Sequence, residues 1–299
     1  MYEEFYGFKE RPFNVTPDAR FFYPSAKHRE ALDSLYYAVS QRLGFVVITG
    51  EIGAGKTTVC RTLLKRLPAT TKVAVITNTL VTGRHLLCAI LDEFELPVGE
   101  REPRWKLINR LNEFLITALS HDENAVVVID EAQNLTPSVL EEIRLLSNLE
   151  TERAKLIQII LMGQPELRLK LNLPTLAQLK QRVLVSYHLQ PLDLSETMAY
   201  VKHRQNRVGA TASAFTPEAM EIIYNYSKGV PRLINLICER ALLSGYGEQL
   251  KPIDGSFMQQ VASELTAYHA GWRPEPPVES VTLTFEEEYP LRQGGSIHE

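Results

Sequence analysis

Eight consecutive residues, Gly50-Glu51-Ile52-Gly53-Ala54-Gly55-Lys56-Thr57, have the spacing G-x-x-x-x-G-K-[ST], and a second hydroxyl, Thr58, follows them. The chemistry open to that pattern is the cradling of a polyphosphate. Glycines let backbone N–H groups turn inward around phosphate oxygens, and a helix N-terminus behind them adds partial positive charge. Lys56 would reach the outer phosphates, and the Thr57 hydroxyl would ligate Mg²⁺. An ordinary glycine turn between a strand and a helix is the alternative. Eight matched positions in the right context stand against it.

Four further groups have residue types suited to the same site. The run Val126-Val127-Val128-Ile129 ends in Asp130-Glu131, which puts two carboxylates at the end of an apolar strand. Asp130 would hold Mg²⁺, mostly through water, and Glu131 would orient and polarise an attacking water. A solvent-facing acidic pair ending a strand is the plainer reading, and the phosphate loop upstream disfavours it. Gln164, in Met162-Gly163-Gln164-Pro165-Glu166, either holds the attacking water or sits in a plain turn. Arg182, in Lys180-Gln181-Arg182, either reaches a neighbouring subunit's nucleotide to offset transition-state charge or is a surface arginine. Arg232 follows Pro231, a residue suited to the first helical position, and either reports the γ-phosphate to a helical lid or is an ordinary helix-start arginine.

Those residues need a frame. Residues 45–49 (FVVIT) read as a buried strand entering the loop, and 57–67 has apolar residues at helical spacing. Further apolar runs at 73–77, 125–129, 156–162 and 183–189 alternate with helical stretches at 82–95, 103–120 and 137–149. Near-continuous apolar strands alternating with helices predict a parallel sheet covered on both faces. The fold class expected is therefore α/β. Ahead of it, residues 1–25 are rich in aromatics and proline and read as an irregular strap packed on the core; Ser25 then caps a helix over 26–41. From residue 191 no further strand is predicted, and helices are expected at 195–208, 217–228, 231–245 and 254–269. The domain plan is a strap at 1–25, an α/β domain at 26–190, a small all-helical lid at 191–270 and a disordered acidic tail at 271–299.

Composition bounds what such a machine acts on. The chain has 299 residues, which suggests about two domains. Its net charge of −4 is matched by residues 270–299 alone, so the remainder is balanced and nucleic acid is not demanded as a partner. Cys60, Cys88 and Cys238 form no metal-type pair and read as small buried thiols in a reducing compartment. The N-terminus has no signal-peptide pattern and no apolar run is long enough to span a bilayer, which predicts a cytoplasmic protein.

Together these features resemble the AAA+ ATPases and, more narrowly, the general secretion pathway protein A (ExeA-like) family. The resemblance runs through residues 2 to about 250. It is carried by Phe8, Pro12, Phe13, Pro17, Asp18 and Phe21, by GEIGAGKTT, VVVIDEAQNL, ILMGQPEL, LKQR with YHLQPLDLSETMAYVKHR, and by GVPRLINLICERAL. It implies a P-loop NTPase sheet with a helical lid, ATP and Mg²⁺ as ligands, and hydrolysis by a homo-oligomer. It also implies Walker A at Gly50–Thr58 and Walker B at Asp130 and Glu131. Sensor 1 falls near Gln164, an arginine finger at Arg182 and sensor 2 at Arg232. Asn78 stands where such ATPases often restrain the catalytic glutamate, and 26–32 resembles the segment packed near adenine. Two departures are visible. Gln164 replaces the usual Asn, and where the secretion proteins continue into a transmembrane segment and a peptidoglycan-binding region, this sequence runs into the acidic tail. Secretion or pilus machinery, reached through a membrane-complex protein, is the expected client. The alternative is a DNA-associated regulator like the transposition-helper ATPases, with Lys202, Arg204 and Arg207 facing a phosphate backbone or forming a solvated helix face.

Overall fold

A computed structural model describes residues 1–268 apart from 15, 17 and 153. The tail expected at 271–299 lies outside the described residues. The chain opens with α1 (Tyr2–Tyr6), a 3₁₀ turn at Ala19–Phe21 and α2 (Ala26–Ser40). It continues through β1 (Phe45–Gly50), α3 (Lys56–Arg66), β2 (Lys72–Ile76), α4 (Gly83–Glu93), α5 (Arg104–Ser120) and β3 (Ala125–Ile129). Then come α6 (Pro137–Leu146), β4 (Gln158–Gly163), α7 (Pro165–Leu171), α8 (Ala177–Arg182) and β5 (Val183–Leu189). Four helices close it: α9 (Leu194–Arg207), α10 (Pro217–Ser227), α11 (Pro231–Gly247) and α12 (Gly255–Tyr268).

The five strands form one sheet in the order β2-β3-β4-β1-β5, every pair parallel. Every residue of β1, β3 and β4 is buried, which is why these strands are apolar throughout rather than alternating. The pleat sends neighbours to opposite faces. Phe45, Val47, Val127, Ile129, Ile159 and Leu161 join the core under α4, α5 and α6. Val46, Ile48, Val126, Val128, Ile160 and Met162 join the core under α2 and α3. Because β4 lies between β3 and β1, the carboxyl ends of all three strands stand side by side.

A third core gathers α9 to α12, and the strap belongs to it. Tyr2, Tyr6, Phe8, Phe13 and Phe21 are buried with Phe215, Ile223, Ile234 and Ile237. Polar bonds tie the same pieces: the Tyr2 hydroxyl donates to Glu239 at 2.8 Å, Tyr6 to the Leu250 carbonyl at 3.0 Å, and the Lys9 N–H to the Val208 carbonyl at 2.8 Å. Most of the strap's aromatics therefore pack on the helical unit, while Phe22 packs against the core under α2 and α3.

Local boundaries differ from the sequence expectation where tertiary bonds intervene. The helix expected over 137–149 ends at Leu146, because the N–H groups of Asn148 and Leu149 tighten onto Leu145 and Leu146 and the chain turns into the Glu150–Lys155 bridge. The fourth strand starts at Gln158 rather than 156, where the buried Gln158 side chain accepts from the Gly44 N–H at 2.7 Å. Helix α9 is capped by Asp193, which with Glu196 forms a capping box. Helices α7 and α8, unpredicted, have seven and six residues, too few to show a period. Cys60 and Cys238 are buried, Cys88 is half-buried, and burial pushes the Cys60 thiol up to about 12. No helix among the described residues is long and apolar enough to cross a membrane.

Candidate functional site

The loop after β1 is shaped by backbone that only glycine adopts without strain. Gly53 and Gly55 have φ of 80° and 102°, and Gly55 is the residue from which α3 starts. A Cβ on Gly53 would also stand 2.4 Å from the Cβ of Arg232. Lys56 is buried, and its Nζ donates to the carbonyls of Gly50 at 2.7 Å and Glu51 at 3.0 Å. Burial holds its ammonium below the ordinary lysine value, while the carboxylates of Glu131 and Asp130 oppose that pull.

The carboxylates arrive from β3. Asp130 Oδ2 accepts from Thr57 Oγ1 at 3.3 Å, and its Oδ1 accepts from the Glu131 N–H at 2.9 Å. One hydroxyl and one carboxylate thus converge beside the loop, a hard-oxygen pair suited to Mg²⁺ that keeps water and phosphate as its remaining ligands. Glu131 has φ of 51°, in the left-handed region. Its Oε2 accepts from Gln133 Nε2 at 2.5 Å and from Gln164 Nε2 at 3.3 Å. Gln164 reaches it from the end of β4, the next strand over.

The lid closes the other side. The Arg232 N–H donates to the Gly53 carbonyl at 3.2 Å, so the first turn of α11 rests on the loop. His28, from α2, lies between Ser25 Oγ at 2.8 Å and the Ala54 carbonyl at 3.4 Å, and burial lowers its pKa. A cleft of 370 Å³ is bounded by Lys56, Thr57, Glu131, Gln164 and Arg232, with Phe22, Tyr23, Tyr200 and Asn235 at its strap end.

The structure thus brings together all the sequence-nominated groups except two. Arg182 stands apart: its Nη1 donates to Ser147 Oγ at 2.7 Å, and the next residue, Val183, pairs with Phe45 at the amino end of β1, away from the loop. Asn78 is exposed and its side chain accepts from the Leu80 N–H at 3.3 Å, so it does not hold Glu131. The neighbouring Thr79 bonds the Glu131 carbonyl at 3.2 Å instead. The reading of the α9 cations needs correction. Lys202 and Arg207 are exposed, but Arg204 is only 4% exposed. Its guanidinium lies 4.7 Å from the Phe21 ring centroid and donates to the Tyr200 hydroxyl at 2.9 Å. Sequence reasoning missed Gln133, whose signal was its place two residues after Glu131, and Tyr200 and Asn235, bonded at 2.9 Å, for which no local signal exists.

Residues 39–171 match the AAA domain family. The ORC2 protein of Aeropyrum pernix in its ADP form superposes with a TM-score of 0.64 at 17% identity, over 89% of this chain and 75% of that one. The RuvB Holliday junction branch migration motor of Thermotoga maritima superposes with a TM-score of 0.56 at 18% identity, over 81% and 70% of the two chains. At such identities the likeness is one of fold. In architecture the chain has the P-loop fold of AAA domains. In sequence it is similar to General secretion pathway protein A of Aeromonas hydrophila, 46% identical over 246 residues, which are 82% of this chain and 45% of that relative. The chain therefore spans less than half the length of that protein.

Proposed function

We propose that the chain binds ATP with Mg²⁺ and hydrolyses it to ADP and phosphate, working as an oligomeric switch on the assembly of secretion- or pilus-type machinery. The observation that carries this reading is the 3.3 Å approach of Thr57 to Asp130, with Glu131 next in the chain. Thr57 and Asp130 would hold Mg²⁺, which when bound neutralises charge on the β- and γ-phosphates. Lys56 exchanges its two loop carbonyls for phosphate oxygens. Glu131 takes a proton from the attacking water as the water oxygen bonds to the γ-phosphorus and the bond to the bridging oxygen breaks. Gln164 orients that water, and Arg232 carries the state of the γ-phosphate to α11.

Arg182 lies outside its own chain's cleft, so its role as a finger requires a second copy. The secretion role is supported by the 46% identity to General secretion pathway protein A. A DNA-associated regulator has less support, since Arg204 is withdrawn from the surface. Phosphate release in Mg²⁺ tests the reading. Wild-type protein should turn over, and Asp130→Asn should lose at least about a hundredfold. Equal rates with and without Mg²⁺ would overturn it. Mixing Arg182→Ala with Glu131→Gln subunits should restore turnover beyond either alone; no restoration at concentrations that form oligomers removes Arg182 from the site.

A further inference from the structure

We propose that Gln133 is a positioning residue for Glu131, fixing the carboxylate's orientation and coupling it to the end of β4. The proposal rests on the reading of Glu131 as the base. Gln133 sits in the 3₁₀ turn Ala132–Asn134 that follows the strand. Its amide faces two ways. Nε2 donates to Glu131 Oε2 at 2.5 Å, and Oε1 accepts from the Gln164 backbone N–H at 3.1 Å. The reverse amide orientation would set acceptor against acceptor and donor against donor, so both bonds agree on one assignment.

The surroundings hold this amide in place. A Cβ on Gly163 would come 2.9 Å from Gln133 Oε1, so the end of β4 leaves room for the amide only because residue 163 is glycine. From α7, Lys170 Nζ donates to the carbonyls of Gln133 and, at 2.7 Å, Leu135, which fixes the turn's backbone. A glutamine that merely filled a surface turn would point its amide into water. Here one amide bridges the tips of two adjacent strands, and the side chain of Gln164 adds a second donor to the same carboxylate oxygen.

For the chemistry, the two amide N–H groups select one rotamer for a side chain whose backbone lies in the left-handed region. A displacement of Gln164 would move the backbone N–H that holds Gln133, and through it the base.

The test uses the full chain with Mg²⁺-ATP and the variants Gln133→Glu, Gln133→Ala and Glu131→Gln. Gln133→Glu keeps the shape and the acceptor for Gln164 but replaces the donor with a carboxylate. Both Gln133 variants should lower kcat by about ten- to a hundredfold, with KM and ATP affinity within about twofold of wild type. If Glu131→Gln is inactive while both Gln133 variants keep wild-type kcat, the proposal is wrong and the reading of Glu131 stands. Parallel loss of affinity and kcat would reduce Gln133 to a structural role. If Glu131→Gln turns over at the wild-type rate, the assignment of the base itself fails.

Discussion

At the carboxyl edge of the sheet, every chemical group hangs from the end of a strand or the first turn behind it. Lys56 and Thr57 follow β1, Asp130 and Glu131 follow β3, and Gln164 follows β4, all on strands buried along their whole length. The strap and α9–α12 are built differently. They share a core of their own, and at the loop one backbone bond from Arg232 to Gly53 joins α11 to the sheet side. The first region is over-determined by packing and suits chemistry that needs fixed distances. The second meets the loop through the first turn of α11, which under the proposed function is where a reporter of the γ-phosphate would stand.

The largest effect should come from separating the two regions. Phe13 is fully buried among the lid helices, its ring 6.1 Å from that of Phe215. Phe13→Ala should cost about 3–5 kcal/mol in denaturant unfolding of the helical unit. Hydrogen exchange should then rise in α9–α12 and not in β1 or β3. Equal loss in both regions would break the comparison and make the chain one cooperative unit.

Next comes Lys56→Ala, on the sheet side. It should weaken ATP affinity about a hundredfold, close to 3 kcal/mol, without moving the melting of the lid. Arg232→Ala, on the lid side, should lower kcat by roughly tenfold, about 1.4 kcal/mol, with a smaller change in affinity. Isothermal titration and phosphate release separate the two. If Arg232→Ala abolishes binding as Lys56→Ala does, α11 is part of the cradle rather than its reporter.

The smallest effect is a pH dependence at the junction. Burial lowers the pKa of His28, which contacts Ala54. A base depressed in the folded state binds more protons unfolded, so stability falls as pH drops below the ordinary histidine value toward the folded one. His28→Gln should flatten part of that slope in melts between about pH 7 and 5. An unchanged slope would show that His28 does not charge on unfolding.

Much of the sheet side was legible in the sequence because its signals are local. Strand burial writes itself as unbroken apolar runs, and the loop's glycines, lysine and hydroxyls are adjacent in the chain. Asp130 and Glu131 announced themselves by ending such a run. What was hidden depended on distant partners. Arg204 reads as one more cation on a charged helix, and it is buried because Phe13 and Phe21 return from the N-terminus to cover it. Asn78 had the right type and place, yet β2 ends so that its neighbour Thr79 faces Glu131. Gln133 was one polar residue in a turn until β4 was seen beside it.

Glu131, held by two amides at the edge of the sheet, is the group we propose hydrolysis turns on. Glu131→Gln should bind ATP with wild-type affinity and lose roughly a hundred- to ten-thousandfold in phosphate release. Hydrolysis by that variant at the wild-type rate would contradict the account.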